Sequence, residues 1–257
     1  FPSLGGGGGR GGFGGRGGRG GGGQERTFED VKRERDRRLD EIASLFERAR
    51  AYGRAGANRK MDWTLEALVP VVEGRLPLIT NVSRAQDIRD AIAFAERTKV
   101  KIVISGGTEA NAVAPLLKEK NVPVILGGVL TLPGSEDHFH AASYQLAGEL
   151  ANAGVKVAFS TGDNSNVRLL PYHAAISVAW GMDREDALEA LTINAAEILG
   201  VASRIGSIES GKDANLFIAK GDPLEIRTEV THVIINGRDV GLASKHQALY
   251  EKYIARR

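Results

Sequence analysis

The stretch that decides the fold begins with residues 183–200, DREDALEALTINAAEILG, and continues through residues 204–224, RIGSIESGKDANLFIAKGDPL. The first part has the apolar spacing of a helix, and Gly200 is a residue type that suits the left-handed end of a helix. The second part predicts a turn that leads into a strand. Residues 230–240, VTHVIINGRDV, then predict a hairpin through Asn236-Gly237, a pair suited to a type I′ turn. The pattern indicates that an α/β region passes into a small β region near Gly200.

Upstream of this stretch, short apolar runs alternate four times with helical segments, beginning at Leu76. The runs are LPLITNV, VKIVISGG, VPVILGGVL and VKVAFSTGD, and such continuous apolar character is typical of parallel strands that are buried on both faces. Parallel α/β folds place their functional sites in the loops that follow the strands. We therefore expect the chemistry in such loops, among them residues 106–111, GGTEAN, and 160–166, STGDNSN.

The N-terminal quarter contains two different kinds of sequence. Residues 1–24 are rich in Gly and Arg and cannot bury enough apolar surface to fold, so we predict a disordered segment. Its Arg-Gly-Gly spacing also resembles RNA-binding segments, but it contains only three Arg, and we favour a flexible linker. In residues 25–75 we predict two helices. The first starts at a capping pair, Thr27 and Asp30. The second runs from about residue 62 to 72, and its predicted buried side is Trp63, Leu65, Leu68 and Val69.

Composition excludes several classes of function. The chain has 257 residues with a formal net charge of +2, so no basic field would attract nucleic acid and we expect no such partner. The absence of Cys excludes disulfides, thiolate metal sites and cysteine nucleophiles. No apolar run approaches the roughly 20 residues of a membrane helix, and the compartment stays open. Because the sequence starts at Phe1 without a leader, we expect a piece of a longer protein.

Residues 76–240 resemble the C-terminal portion of the amidohydrolase superfamily, closest to its imidazolonepropionase-like branch. The resemblance is carried by LTINAAEILG, GSIESGKDAN, the GDP at 221–223 and NGRDV. It implies a metal-dependent hydrolase of C–N bonds, with zinc or another divalent metal as cofactor and a small molecule as substrate. The implied fold is α/β: a partial (β/α)8 TIM-type barrel, strands 5–8, in residues 76–200. Residues 201–257 would then form part of an accessory β-domain and a closing helix.

The resemblance also implies where metal ligands belong, and most of those positions are changed. In the family, a His follows strand 5 and another follows strand 6; Asn81 and Gly106 occupy these places here, with Thr108 and Glu109 next along the chain. The family's Asp after strand 8 is present as Asp163, which we predict as catalytic base and metal ligand. No His-x-His follows an N-terminal strand, so the resemblance implies a degenerate metal site, with a chain that holds no metal as the alternative. As an alternative, Asp163 serves as a helix cap or hydrogen-bond acceptor in its loop.

The remaining histidines give weaker signals. His138 and His140 form a His-x-His in a loop, where a metal ion could be held together with Asp137 or Glu136. We favour two surface histidines instead, because this loop follows the third of the four strands. His173 is either a substrate contact or a packed side chain. The predicted substrate-binding residues are therefore Asn81, Thr108, Glu109 and His173.

Two functions from different classes follow from these observations. One is a hydrolase of a cyclic amide, imide or dipeptide-like C–N bond. The other is a metal-free pseudoenzyme or small-molecule-binding subunit on the same scaffold. Since a half barrel exposes two sheet edges, we expect its partner to be the missing barrel half or a second copy of the chain.

Overall fold

The computed structural model describes residues 27–56, 59–132 and 139–255. The chain divides into two compact units, one ending at Glu109 and the other beginning at Ala110. Two predictions lie outside the described residues: the disordered segment 1–24, and a metal site that uses His138 with Asp137 or Glu136.

The first unit begins with two helices, α1 (Phe28–Arg54) and α2 (Trp63–Val72). The predicted capping pair is confirmed: Thr27 accepts from the backbone N–H of Asp30, and the Asp30 carboxylate accepts from that of Thr27. The prediction that Trp63 is buried is wrong, because its side chain is 78 % exposed. The buried stripe of α2 consists of Leu65, Val69 and Val72, and a residue two positions before Leu65 points away from that stripe.

Two parallel strands follow in the same unit, β1 (Leu78–Val82) and β2 (Ile102–Gly106), connected by α3 (Ala85–Thr98). In their register Asn81 lies beside Ser105 and Val82 beside Gly106, so the carboxyl ends of the two strands coincide. The apolar stripe of α3 is buried, with Ile88 and Ala91 almost fully covered. The loops after β1 and β2 are therefore held side by side by a rigid strand pair.

The second unit contains α4 (Ala114–Glu119), β3 (Val124–Leu126), α5 (Ala142–Asn152), β4 (Val157–Phe159) and α6 (Leu170–Ala179). Strands β3 and β4 are parallel, and Leu126 pairs with Phe159. The side chains of Leu117, Val124, Leu150 and Val157 are almost completely buried. As in the first unit, this packing brings two loops to the carboxyl ends of neighbouring parallel strands.

The helix predicted over residues 183–200 is divided into α7 (Arg184–Leu191) and α8 (Ile193–Ile198). Thr192 separates them with φ −126° and ψ −95°, and its hydroxyl donates to the carbonyl of Leu188 at 2.6 Å. A β-branched residue whose side chain bonds backwards along a helix favours such a break. Gly200 has φ +73°, in agreement with its predicted place at the helix end.

The C-terminal part forms a three-stranded antiparallel sheet of β5 (Leu216–Ala219), β6 (Val230–Ile235) and β7 (Arg238–Asp239). The predicted hairpin is confirmed, since Asn236 and Gly237 have φ values of 50° and 76°, as a type I′ turn requires. The predicted closing helix is α9 (Lys245–Ile254). None of the helices in the described ranges has the length and apolar character needed to cross a membrane.

Candidate functional site

In the first unit, hydrogen bonds join the loops after β1 and β2. The backbone N–H of Gly107 donates to the carbonyl of Val82 at 2.7 Å. The Ser83 carbonyl accepts from the backbone N–H of Glu109 at 2.9 Å and from the Thr108 hydroxyl at 3.4 Å. We call these connected loops the clasp. Its polar groups largely satisfy each other, which gives the two strand ends a fixed shape.

Gly106, where the family resemblance implies a His, leaves little room for a side chain. Its φ is +97°, a conformation that residues with a Cβ rarely adopt. A Cβ built there would lie 3.1 Å from the carbonyl oxygen of Val82 and 3.3 Å from Oδ1 of Asn81. The backbone around this position is therefore adapted to Gly, and a metal-binding side chain could not be restored without moving the clasp.

Glu109 is used in the clasp as a helix cap. Its Oε2 accepts a hydrogen bond from the backbone N–H of Ala85, in the first turn of α3, at 2.9 Å. The N-cap residue of that helix, Arg84, makes no side-chain capping bond of its own. A carboxylate at this position satisfies an otherwise free N–H and also favours the positive end of the helix dipole. The main contact of Glu109 is thus with α3.

Asp163 lies in an exposed loop after β4, in the second unit. Its Oδ1 accepts from the backbone N–H of Ser165 at 2.7 Å and from that of Asn166 at 2.9 Å, and its Oδ2 accepts from the Asn166 side chain at 2.9 Å. The side-chain bond from Asn166, followed by the backbone bonds, lowers the pKa of the Asp163 carboxyl below its usual value. The carboxylate therefore stays ionised at neutral pH. A carboxylate offers about four acceptor positions, so three bonds leave about one for a water or a ligand N–H.

His173 is buried, only 3 % exposed, in the first half of α6. Its Nδ1 accepts a hydrogen bond from the backbone N–H of Val129, in the loop after β3, at 3.2 Å. Burial lowers the pKa of the imidazole below its ordinary value, which favours the neutral ring. His173 thus lies against the loop after β3, and its ring holds that loop by a hydrogen bond.

The predicted site residues fall into two groups. Asn81, Thr108 and Glu109 come together at the clasp in the first unit, whereas Asp163 and His173 lie in the second. Their roles in binding and catalysis stay predictions. His140 packs against the ring of Phe139, with ring centroids 4.3 Å apart, and also against Trp180.

Two positions that organise these loops were missed in the sequence. The carbonyl of Ser83 accepts two of the bonds of the clasp, and Gly128 lies at the crossing of the loops after β3 and β4. The signal for Gly128 was available, because a Gly-Gly pair follows β3 directly. No sequence signal identified Ser83, since its contribution comes from the backbone.

The residues present do not fit the divalent metal that the family resemblance implies. Throughout the described ranges, no group of three or more His, Asp or Glu side chains lies close enough to hold a metal ion. Position 106 has a positive φ and little room for a side chain, and Asn81 offers an amide oxygen, a poor substitute for imidazole at zinc. Asp163 already accepts three hydrogen bonds within its own loop.

Comparison with known proteins gives the same family as the C-terminal motifs. The amidohydrolase family matches residues 74–240, more than half of the chain. The imidazolonepropionase of Geobacillus kaustophilus is 38 % identical over 98 residues, which cover 36 % of this chain and 23 % of that protein. The imidazolonepropionase of Flavobacterium johnsoniae is 35 % identical over 104 residues, 37 % of this chain and 25 % of that protein. The chain therefore spans about a quarter of the length of these curated relatives.

A solved structure supports the fold. The crystal structure of an amidohydrolase from Thermotoga maritima aligns with a TM-score of 0.70 and 28 % identity, over 85 % of this chain and 57 % of that one. This alignment and the family match confirm the predicted fold class, an α/β protein that forms part of a (β/α)8 barrel. On the family match over residues 74–240, the chain belongs to the amidohydrolase family.

Proposed function

We propose that this protein acts on the C–N bond of a small cyclic amide, and that imidazolonepropionate is the first substrate to test. The observation that carries the proposal is the family match over residues 74–240, which includes all four parallel strands and the polar loops that follow them. The relatives from Geobacillus kaustophilus and Flavobacterium johnsoniae are named imidazolonepropionases. Because the chain spans about a quarter of those relatives, this activity and this substrate are inferences for the present protein.

The side chains at the strand ends have the chemistry that such a substrate needs. The amide of Asn81 and the hydroxyl of Thr108 can each donate to and accept from a ring amide. Asp163, in the second unit, is ionised and keeps about one acceptor position for a water, although the lowered pKa of its carboxyl makes it a weaker base. Glu109 and His173 contribute by fixing the loops of their own units.

Since the described residues do not complete a metal site, we propose that any zinc or other divalent cofactor depends on ligands from outside these residues. The missing half of a barrel or a second copy of the chain are the partners that could supply them.

The test is hydrolysis of imidazolonepropionate by the full chain, with and without added zinc. Hydrolysis is monitored as the loss of the ring's ultraviolet absorbance. Replacement D163A should lower the rate at least about 100-fold, the usual loss when a general base is removed. Variant D183A is the matched control, because Asp183 is also exposed and accepts two backbone N–H bonds, at the start of α7. Equal rates in D163A and D183A would exclude Asp163 as the base.

A second function is favoured by the misfit between the described residues and a metal site. In this alternative, the protein is a metal-free pseudoenzyme or binding subunit that holds a small molecule by hydrogen bonds. It predicts that imidazolonepropionate binds in the presence of a chelator, measured by calorimetry, and is recovered unchanged whether or not zinc is added. Zinc-dependent turnover of the ring would reject it.

A further inference from the structure

The hydrogen bond between His173 and the loop after β3 has a defined protonation state. A backbone N–H can only donate, so Nδ1 of His173 must carry no proton where it faces Val129 at 3.2 Å. The neutral ring therefore keeps its hydrogen on Nε2. The two residues are 44 positions apart in the sequence, so this bond connects α6 to a distant strand-end loop.

The same loop is closely packed where the bond is made. A Cβ added to Gly128 would lie 3.3 Å from the carbonyl oxygen of Thr161, in the loop after β4, and 3.4 Å from Cγ2 of Thr131. It would also lie 3.8 Å from Cε1 of the His173 ring. The two strand-end loops and the imidazole thus meet at Gly128, and little space is left for the loop to shift while the bond to Val129 is kept.

We propose that His173 is a pH-sensitive positioning residue: it holds residues 127–131 against the loop after β4 when its ring is neutral and releases them when its ring is protonated. Protonation places a hydrogen on Nδ1, so that two donors face each other and the hydrogen bond is lost. The positioning role rests on the geometry of these contacts alone.

Neighbouring charges do not replace this bond. Helix α6 packs against α5, α7, β4 and the short 3-10 turn at residues 167–169. The titratable and charged groups on these elements, on α6 and in the described parts of the loops after β3 and β4 are Tyr144, Glu149, Asp163, Arg168, Tyr172, Arg184, Glu185, Asp186, Glu189 and His140. None of these described side chains forms a hydrogen bond or ion pair with His173, and burial is what lowers the pKa of the imidazole.

The direction of the pH effect follows from the lowered pKa. In an unfolded chain a His titrates near pH 6.5. Above that pH the ring is neutral in both states, and the bond to Val129 contributes in full. As the pH falls from about 6.5 towards the lower pKa of the folded state, this contribution is progressively lost. The loop is therefore held at neutral pH and freed once the pH falls below the lowered pKa of the His173 ring.

The experiment uses the full chain and two variants, observed by NMR of the Val129 amide and the His173 ring between pH 5 and 7.5. Variant H173N is the conservative replacement, because its Oδ1 can accept the same hydrogen bond without titrating. Variant H246N removes an exposed His of α9 and is the control. Protection of the Val129 amide is taken relative to its intrinsic exchange rate at each pH.

In the wild type and in H246N we expect Val129 to lose protection by about three- to tenfold in acid, the range that corresponds to one hydrogen bond. The loss should follow the titration of the His173 ring. In H173N, protection should persist across the whole range. Unchanged protection in the wild type while the ring titrates would overturn the proposal, as would the same loss of protection in H173N. Neither readout needs a substrate, so failure to bind imidazolonepropionate would count only against the proposed function.

Discussion

Replacement E109A tests whether Glu109 stabilises the fold as the cap of α3 or instead contacts a ligand. The carboxylate accepts the Ala85 N–H at 2.9 Å, and Arg84 provides no capping bond that could take its place. Loss of a side-chain cap typically costs about 1 kcal/mol. Loss of a negative charge near a helix N-terminus costs about 0.3–1 kcal/mol more. We therefore expect E109A to lower the free energy of unfolding by about 1–2 kcal/mol, and E109Q, which keeps an acceptor, by less than 1 kcal/mol.

Stability is measured by urea unfolding, monitored by far-ultraviolet circular dichroism. Binding of imidazolonepropionate is measured separately by calorimetry. Variant E119A is the control, since Glu119 is an exposed residue at the end of α4 that pairs with the adjacent Lys120. Its stability should stay within about 0.5 kcal/mol of the wild type. If E109A is as stable as E119A but has lost ligand binding, Glu109 is a ligand contact and its assignment as a cap is refuted.

Three further predictions concern single positions. G206A should be less stable than G211A by about 1–3 kcal/mol in the free energy of unfolding, measured with urea. Both glycines have positive φ, but of the two only a Cβ at position 206 would collide, at 2.7 Å from a side-chain carbon of α8. G106H should lower the free energy of unfolding by about 1–3 kcal/mol, because φ at this position is strained for His and the new Cβ presses on the carbonyl of Val82. It should also gain no affinity for zinc, measured by calorimetry. Wild-type stability or zinc binding in G106H would contradict this prediction. The bonds that lower the pKa of Asp163 contribute fully above about pH 3.9 and are lost as the pH falls through the lower pKa of the folded state. The protection of the amides of residues 165 and 166, taken relative to their intrinsic exchange rates, should therefore fall only in acid, and D163N should remove that response.

The parts of the fold that were predictable depend on local patterns. The capping pair Thr27 and Asp30 and the turn Asn236-Gly237 were readable because each requires particular residue types at fixed spacing. The break at Thr192 could not be predicted, because the apolar spacing continues through it. The bond from the Thr192 hydroxyl to the Leu188 carbonyl, visible only in the structure, marks where the helix divides.

The candidate site was predictable as a set of positions but not as a set of contacts. Sequence placed Asn81, Glu109 and Asp163 after strands; Glu109 and Asp163 are found there, whereas Asn81 lies within β1 and pairs with Ser105. That Glu109 caps α3 depends on a bond across 24 residues, and the contact of His173 with Val129 spans 44. Such bonds form only when packed strands bring distant loops together, so a single sequence does not reveal them.

The zinc content of the full chain, after incubation with zinc and dialysis, shows whether Asp163 binds a metal ion. The wild type, D163A and the control D183A are compared by elemental analysis. Because Asp163 already accepts three bonds in its own loop and the described residues supply no set of metal ligands, we predict the same zinc content in all three. One zinc per chain in the wild type and D183A, with none in D163A, would contradict the account and identify Asp163 as a metal ligand.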